Sequence, residues 1–525
     1  MKPTSEIEIR EAIDTDTKGI RQVFEEVYQG DYPYHQFKNE EWLKYCIYND
    51  NIILLVAVKG SEVMGTGSVV LNAGSYNDLV AEFGRLAVSP RARGQNLGNR
   101  LMQARLDFAR GRVQVGLVEN RTTHNFSQRI SRNHDFFIVG FLPQKHVLKH
   151  RESVALFARY FAGSLTLRKN HPRIIPEAYE LACMSLKNAG LPIDTVIDSH
   201  TSSYQLINTF SSREMSDDSL IALLRFERGR VYDREVFGPA RLHYGLSRLQ
   251  SARVQYLVAE SNDMVAGAIG FAILKEEKYL KIVEVVSSST SVVGFLLKAL
   301  VDFARENDVE YLEVDISAYS PAMQRTMLEY SFFPAAYIPA MVFDKVERLD
   351  VIRMVRLNSR FAPGEMNLEE GVKPIVEMVS SFFKENQVLP EIEDYLVQNT
   401  VFASMSKEQA QFFASHCVLI EFAVNESLFL QGQAGDGIYI ILRGEIKLVR
   451  DSTEIARLNK SDIIGEISTL AETDHSVSAE AIKQTQAAFI SRDTLETVTR
   501  RRPDIALVLY RNLVLQLGQR IKRSE

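Results

Sequence analysis

Apolar and polar positions alternate in short runs over the first third of the chain. Residues 52–58 and 63–71 are two β-branched, apolar runs split by Gly60-Ser61, which predicts a hairpin. Residues 82–88 predict a further strand, after which Leu97, Leu101, Ala104, Leu106 and Phe108 fall on roughly one helical face. Short strands are expected at 7–9 and 113–118, and helices at 124–133, 154–161 and 176–189. The stretch 151–199 reads as the tail of a first domain leading into a linker.

The pattern then starts again. Leu257-Val258-Ala259 with Gly267 reproduces Leu55-Val56-Ala57 with Gly65, and Asp302-Phe303-Ala304-Arg305 reproduces Asp107-Phe108-Ala109-Arg110. Gln324-Arg325, Phe332-Phe333 and Pro339 keep the spacing of Gln128-Arg129, Phe136-Phe137 and Pro143. Self-similarity of this period predicts a duplicated fold, with a second copy at about 201–365. From Val401 onward, short alternating strands separated by Gly432, Gly435, Gly437 and Gly444 predict a small β-roll at about 400–495, closed by a helix at about 503–522.

The sharpest local chemistry lies at 82–110, where a strand passes through a basic, glycine-containing turn into a helix. Helix-start N–H groups lack intrahelical partners and sit at the positive end of the dipole, so such a turn favours anions. Arg91 and Arg93 add charge, and Gly94 and Gly98 admit a phosphate close to the backbone. A plain β–α turn with solvated arginines is the simpler alternative. Val88-Ser89-Pro90 followed by Arg93-Gly94-Gln95-Asn96-Leu97-Gly98 resembles motif A of the GNAT superfamily of N-acyltransferases, with Asn96 in place of the middle glycine. The resemblance implies that Arg93, Gly94, Gln95, Asn96, Leu97 and Gly98 hold the pyrophosphate of acyl-CoA, while Leu86 and Val88 align the pantetheine arm.

On the same strand, Glu82 is the candidate general base. An ammonium cannot attack a thioester before it loses a proton, and a partly desolvated carboxylate can accept that proton. A structural Glu paired with nearby Arg85 is the alternative. The family also implies an Asn and a Tyr beside the thioester; Asn125 answers to the first, whereas Arg132 stands where the tyrosine is usual. The second copy carries Val285-Val286-Ser287-Ser288-Ser289-Thr290-Ser291 in place of the basic turn and is expected to be non-catalytic, with Glu284 structural.

The C-terminal pattern, with Gly435-Asp436 before Tyr439 and Ile441, resembles the cyclic-nucleotide-binding domain family. Gly465, Glu466, Ile467 and Ser468 through His475 and Ser476 align with that family's phosphate-binding cassette. The resemblance implies that Glu466 meets the ribose. At the position of the phosphate-pairing arginine stands His475, which offers one donor and no permanent charge, so ordinary high-affinity cAMP binding is not the expected outcome; weak binding of a cyclic nucleotide, another ligand, or a docking and dimerisation role stay open.

Composition narrows the setting. With 525 residues, 46% hydrophobic and 24% charged, the expectation is three soluble domains: 1–200, 201–365 and 366–525. The fold class expected is mixed α+β, two GNAT-like domains with central mixed sheets followed by the roll. The longest apolar run is too short for a membrane span, residues 1–9 carry no signal-peptide pattern, and three scattered cysteines suit neither disulfides nor a metal site, so a cytoplasmic location is expected. A net charge of −6 argues against nucleic acid, while nine arginines between 91 and 132 suit a polyanionic partner such as CoA or an acyl carrier protein.

The expected activity is acyl transfer from acyl-CoA or a carrier protein to an amine, on a protein lysine or a small molecule, regulated through the roll. The fusion resembles cAMP-responsive lysine acetyltransferases of bacteria with the domain order reversed. A homodimer and, as the competing class, a non-enzymatic sensor or scaffold both remain open.

Overall fold

The computed structural model describes residues 6–30, 32, 35–71, 73, 78–148, 150–207, 209–215, 235–238, 254–261, 264–287, 289–359, 361–386, 400–405, 409–410, 413–414 and 416–524. The chain divides into two compact units, 1–382 and 383–525.

The first unit is built on one large mixed sheet. Its first half contains β1 (Glu8–Glu11), α1 (Thr17–Tyr28), α2 (Glu40–Ile47), β2 (Ile52–Lys59), β3 (Glu62–Val70), β4 (Val80–Val88), α3 (Leu97–Ala109), β5 (Val115–Arg121), α4 (Phe126–Asn133), β6 (Phe137–Val147) and β7 (Arg151–Tyr160). After β8 (Arg173–Ile174), α5 (Pro176–Asn188) and β9 (Val196–Ile197), the second half follows. It has β10 (Ser211–Met215), β11 (Val236–Phe237), β12 (Val254–Ser261), β13 (Met264–Leu274), β14 (Tyr279–Ser287), α6 (Val293–Glu306), β15 (Tyr311–Ser317), α7 (Pro321–Glu329), β16 (Phe333–Asp344) and β17 (Glu347–Leu357).

Strand order runs β1-β2-β3-β4-β5-β7-β6-β16-β17-β15-β14-β13-β12-β10, with β11 attached to β15. The order is therefore mirrored about the β6–β16 contact, where Gly140 pairs with Ala336. Each lies four residues beyond the first phenylalanine of its repeated Phe-Phe pair, so equivalent positions face each other across the seam.

Three expectations fail here. Residues 154–161 form no helix, and 154–160 lie in β7, hydrogen-bonded between β5 and β6. A strand buried on both faces reads as an unbroken apolar run, which periodicity alone cannot tell from a helix. The stretch 151–199 is also not a linker: besides β7 it supplies α5, whose Ser185 Oγ donates to the Tyr337 carbonyl at 2.6 Å and whose Asn188 amide donates to the Ile138 carbonyl at 3.1 Å. It thus ties β16 to β6. On α3, Arg105 is buried and Phe108 exposed, the reverse of a simple apolar stripe. The Arg105 guanidinium donates to the Gly84 carbonyl at 3.1 Å, which satisfies part of its charge under the sheet.

Helix α8 (Lys373–Asn386) runs across the boundary in sequence, and the second unit contains a β-roll. There β18 (Val418–Phe422), β25 (Thr485–Ser491), β20 (Gly437–Arg443) and β23 (Ile463–Ile464) form one sheet. The facing sheet has β19 (Ser427–Phe429), β24 (Ser478–Ala481), β21 (Glu445–Arg450) and β22 (Thr453–Asn459). Helix α9 (Glu466–Ala471) lies within the roll, and α10 (Arg492–Arg501) and α11 (Pro503–Ser524) close it. Ile505, Leu509 and Leu513 of α11 pack with Ile438, Ile440 and Ile490 in one core cluster.

Candidate functional site

Strands β4 and β5 run parallel but hydrogen-bond only from Val80–Glu82 to Val115–Leu117. Beyond that they separate, because Arg85 takes a left-handed φ of +56° and the β3–β4 register shifts between Thr66 and Ser68. Leu86 and Val88, both half-buried, lie on the part of β4 that has left β5. The opening ends at the turn into α3. Gly94 has φ +80° with nothing within 4 Å of a notional Cβ, and Asn96 has φ +53° at the N-cap of α3. The side chain of Asn96 caps no amide of the helix, accepting instead from Asn99 at 2.6 Å. The first-turn amides therefore remain available to an outside anion. Asparagine thus tolerates the backbone that the sequence motif requires of glycine.

Gly98 has a packing role. A Cβ there would stand 2.7 Å from Ile130, so its small size lets α3 pack on α4. Arg93 and Gln95 are exposed, whereas Leu97 is buried in the core. The arginine-rich stretch is mostly committed to the fold. Arg91 bonds Glu26 and Glu62, Arg100 the Ile7 carbonyl, Arg110 Asp107, Arg112 the Asp50 carbonyl and Arg121 Glu152. With Arg105 under the sheet and Arg129 and Arg132 on Glu369, only Arg93 of the nine has no side-chain partner among the described residues.

Glu82 projects from the inner end of the opening, its side chain 39% exposed and 3.3 Å from the Arg85 guanidinium. Its carboxylate lies over Gly84, where a Cβ would come within 2.8 Å of it. Two aromatic residues that sequence reasoning missed accompany it. Tyr28 and Tyr32 have ring centroids 4.6 Å apart, and Tyr32 lies within electrostatic reach of Arg85 and Glu82. Burial raises the Tyr32 phenol well above its usual range. Burial likewise pushes the Cys46 thiol to about 12, against the pull of Arg85. The spacing of Phe24, Tyr28 and Tyr32 was the available signal, but aromatics at helical spacing read first as core, although α1 ends at Tyr28. Asn125 stands at the N-cap of α4 with a side chain that caps nothing, and Arg132 is turned outward to Glu369 at 3.7 Å.

The second repeat has the same opening with other residues. In the ladders, Glu82 pairs with Val70 and Leu117, while Lys281 pairs with Ala272 and Glu313, the matching positions. Lys281, rather than Glu284, thus occupies the register of Glu82. Its ammonium bonds Glu313 at 2.8 Å and Asp315 at 2.9 Å. Glu284 is buried and accepts from the Tyr256 hydroxyl at 2.6 Å.

Between the two openings runs a row of charged side chains. Lys145 bridges Glu119 at 2.5 Å and Glu313 at 3.0 Å, Arg353 bonds Asp315 at 2.7 Å, and His146 lies between Glu119 at 3.0 Å and Glu277 at 3.3 Å. Burial works against the charged imidazole, but the two carboxylates prevail and raise His146 to about 9.

In the roll, Gly465 (φ +85°) starts α9, with Glu466 and Ser468 buried and Ile467 and Ser476 exposed. His475 is 4% exposed and stacks on Phe429 at 3.7 Å. Its Nδ1 meets the Ser468 hydroxyl at 2.7 Å, and its Nε2 has no hydrogen bond and lies 3.8 Å from Asp436. Burial lowers its pKa, so the ring is neutral near pH 7. Position 475 therefore carries no cation.

Among the described residues no group of three or more His, Cys, Asp or Glu side chains could hold a metal, and no helix is long and apolar enough to cross a membrane.

Comparison with known proteins agrees with this division. Residues 17–130 match the family model "Acetyltransferase (GNAT) family", and residues 419–502 match "Cyclic nucleotide-binding domain". The chain therefore carries a GNAT domain near its N-terminus and a cyclic-nucleotide-binding β-roll near its C-terminus, within a mixed α/β fold. Similar curated proteins include the CRP-like cAMP-activated global transcriptional regulator of Mycobacterium tuberculosis, 24% identical over 131 residues, covering 24% of this chain and 58% of that protein. The cyclic AMP receptor protein of Thermus thermophilus is 25% identical over 130 residues, with the same coverage of 24% and 58%. The cGMP-dependent protein kinase of Plasmodium berghei is 27% identical over 134 residues, which are 26% of this chain and 15% of that protein. The chain thus spans a little over half the length of the first of these relatives. Among solved structures, the N-terminal domain of a transcriptional regulator from Streptomyces coelicolor A3(2) is 25% identical, covers 24% of this chain and 94% of its own, and has a TM-score of 0.23.

Proposed function

We propose that the first repeat is an N-acyltransferase that moves an acyl group from a CoA-type thioester to an amine. The observation that carries this reading is the β4–β5 separation ending on a turn with free helix-start amides, Gly94, Asn96 and unpaired Arg93, within a stretch that matches the GNAT family model. Arg93 and the amides of residues 94–98 hold the pyrophosphate, and the freed edge of β4 at Leu86 and Val88 aligns the pantetheine arm. Glu82 takes a proton from the acceptor ammonium. The amine nitrogen then attacks the thioester carbonyl, the C–N bond forms, the C–S bond breaks, and the thiolate leaves and is protonated. Asn125 at the start of α4 is positioned to steer the leaving thiol.

The second repeat is a GNAT-like domain without chemistry: Lys281 in the register of Glu82 and the serine turn without cations support that assignment. The roll serves as a regulatory or docking module, and buried neutral His475 speaks against strong cyclic-nucleotide binding. Three free cysteines suit a reducing compartment. Binding of acetyl-CoA and of a long-chain acyl-CoA by calorimetry, with and without Arg93→Ala, tests the reading. Binding lost in the variant supports it; no CoA species binding the wild type rejects it and leaves a scaffold built on an acyltransferase fold.

A further inference from the structure

We infer that the gap between β14 and β15 is a slot for an extended apolar peptide strand, and that residues 235–238 of the chain are its resident ligand. The parallel ladder of the second repeat stops at Ile282 and Val314, beyond which β14 and β15 part as β4 and β5 do. Here the gap is filled. β11 lies antiparallel on β15, with Val236 opposite Ile316 and Phe237 opposite Asp315, and the Ser317 N–H donates to the Glu235 carbonyl at 2.9 Å.

The opposite wall is equally close. A Cβ on Gly238 would stand 2.6 Å from the Cα of Val283 on β14, so only glycine fits where the segment passes that strand. Val236 and Phe237 are 1% and 4% exposed, and the Glu235 carboxylate accepts from the Tyr204 hydroxyl at 3.0 Å. Main-chain pairing on one side, buried β-branched and aromatic side chains, and a glycine at the tight wall are the elements of strand-addition recognition. The slot therefore selects the order β-branched, aromatic, glycine. A thioester arm cannot share this space. The inference stands on the second repeat alone, whether or not the first repeat turns over a thioester.

A full-length V236D/F237D variant tests it, because two carboxylates cannot remain buried without partners and the segment must leave. A fluorescein-labelled peptide RVYDREVFGPAR, residues 230–241, then binds the variant saturably at one per chain and at least tenfold tighter than it binds the wild type. The same peptide carrying the two substitutions does not bind. Equal binding to wild type and variant, or no binding to a variant that retains cooperative unfolding, overturns the inference. Should the variant fail to fold, hydrogen exchange of the wild type decides: 235–238 exchanging as slowly as β14 upholds the slot, and exchange at the rate of an open loop overturns it.

Discussion

Glu82 and Lys281 occupy one register position in two copies of the same sheet motif, a carboxylate in the first and an ammonium in the second. Glu82 keeps an exposed face and a single guanidinium beside it, whereas Lys281 is held by both Glu313 and Asp315. A carboxylate can accept a proton from an incoming ammonium; a lysine locked between two carboxylates cannot, and repels it. Glu82→Gln is therefore expected to lower kcat by roughly 10²- to 10⁴-fold with little change in donor affinity or thermal unfolding. Lys281→Met should leave kcat unchanged while lowering the unfolding temperature, because it removes one of the cations facing two buried carboxylates and leaves Glu313 to Lys145 and Asp315 to Arg353. A kcat loss of similar size in both variants would contradict this division of roles.

Donor affinity should depend on one arginine rather than on the whole basic stretch. Among the described residues, Arg93 alone of the nine has a guanidinium with no side-chain partner. Arg93→Ala is expected to weaken CoA binding by about 1.5–3 kcal/mol, on the scale of a hydrogen bond to a charged group. Arg91→Ala, which breaks contacts to Glu26 and Glu62, should alter stability and leave CoA affinity within twofold. Calorimetric titration of both variants checks this, and equal losses would favour a diffuse basic field.

The sequence carried the repeat, the motif turn and the roll because each depends on local spacing. What it concealed was burial. β7 was unreadable as a strand because both of its faces are buried, leaving no polar alternation to mark it. Arg105 and Phe108 exchanged their expected positions because the guanidinium finds the Gly84 carbonyl beneath β4, a contact that no helical wheel contains. The basic stretch looked like a face for a polyanion, yet its charges meet partners from Ile7 to Glu369, far away in sequence. Lys281 stands at the register of Glu82 because its ladder partners, Ala272 and Glu313, match Val70 and Leu117, a correspondence that no local spacing displays.

At the seam, Gly140 is fixed by its counterpart. A Cβ on Gly140 would stand 2.2 Å from the Cβ of Ala336 and 2.5 Å from the Ala335 carbonyl. Gly140→Val is expected to destabilise the first unit by about 3 kcal/mol or more, as overpacking against backbone does. Ala336→Gly should cost about 1 kcal/mol or less, within the ordinary range for a strand glycine. Urea unfolding followed by near-ultraviolet dichroism measures both, and a tolerated valine would mean that β6 and β16 do not meet in this register.

The pairing of His146 with Glu119 and Glu277 predicts a pH dependence at the alkaline side. Its folded pKa of about 9 lies above the ordinary value of 6.5. The folded state thus binds the proton more tightly, and stability from this group is complete below about pH 6.5 and lost as pH rises through 9. The neighbouring Lys145 and Arg353 keep their charge through this window, so the imidazole is the group that changes. The urea midpoint of the wild type should fall between pH 7 and 9.5, and in His146→Gln it should fall less over the same range while starting lower. Parallel curves for the two proteins would remove His146 as the cause.

In the roll, the absent cation can be supplied. His475 is buried against Phe429 and tied to Ser468, and the acidic side chain nearest its free nitrogen is Asp436. A cyclic phosphate entering there meets a neutral ring and a carboxylate, so wild-type protein should not bind cAMP or cGMP at micromolar concentrations. His475→Arg alone must move a larger side chain out of the space beside Phe429. Combined with Ser468→Ala, which removes the hydroxyl that holds the ring, it frees a guanidinium for bidentate pairing with the phosphate. The double variant is expected to gain at least tenfold in affinity for cAMP, read by calorimetry, with the gain falling as salt rises. An unchanged affinity in a folded double variant would show that something other than the missing charge closes this pocket, and strong binding by the wild type would show that His475 does not close it.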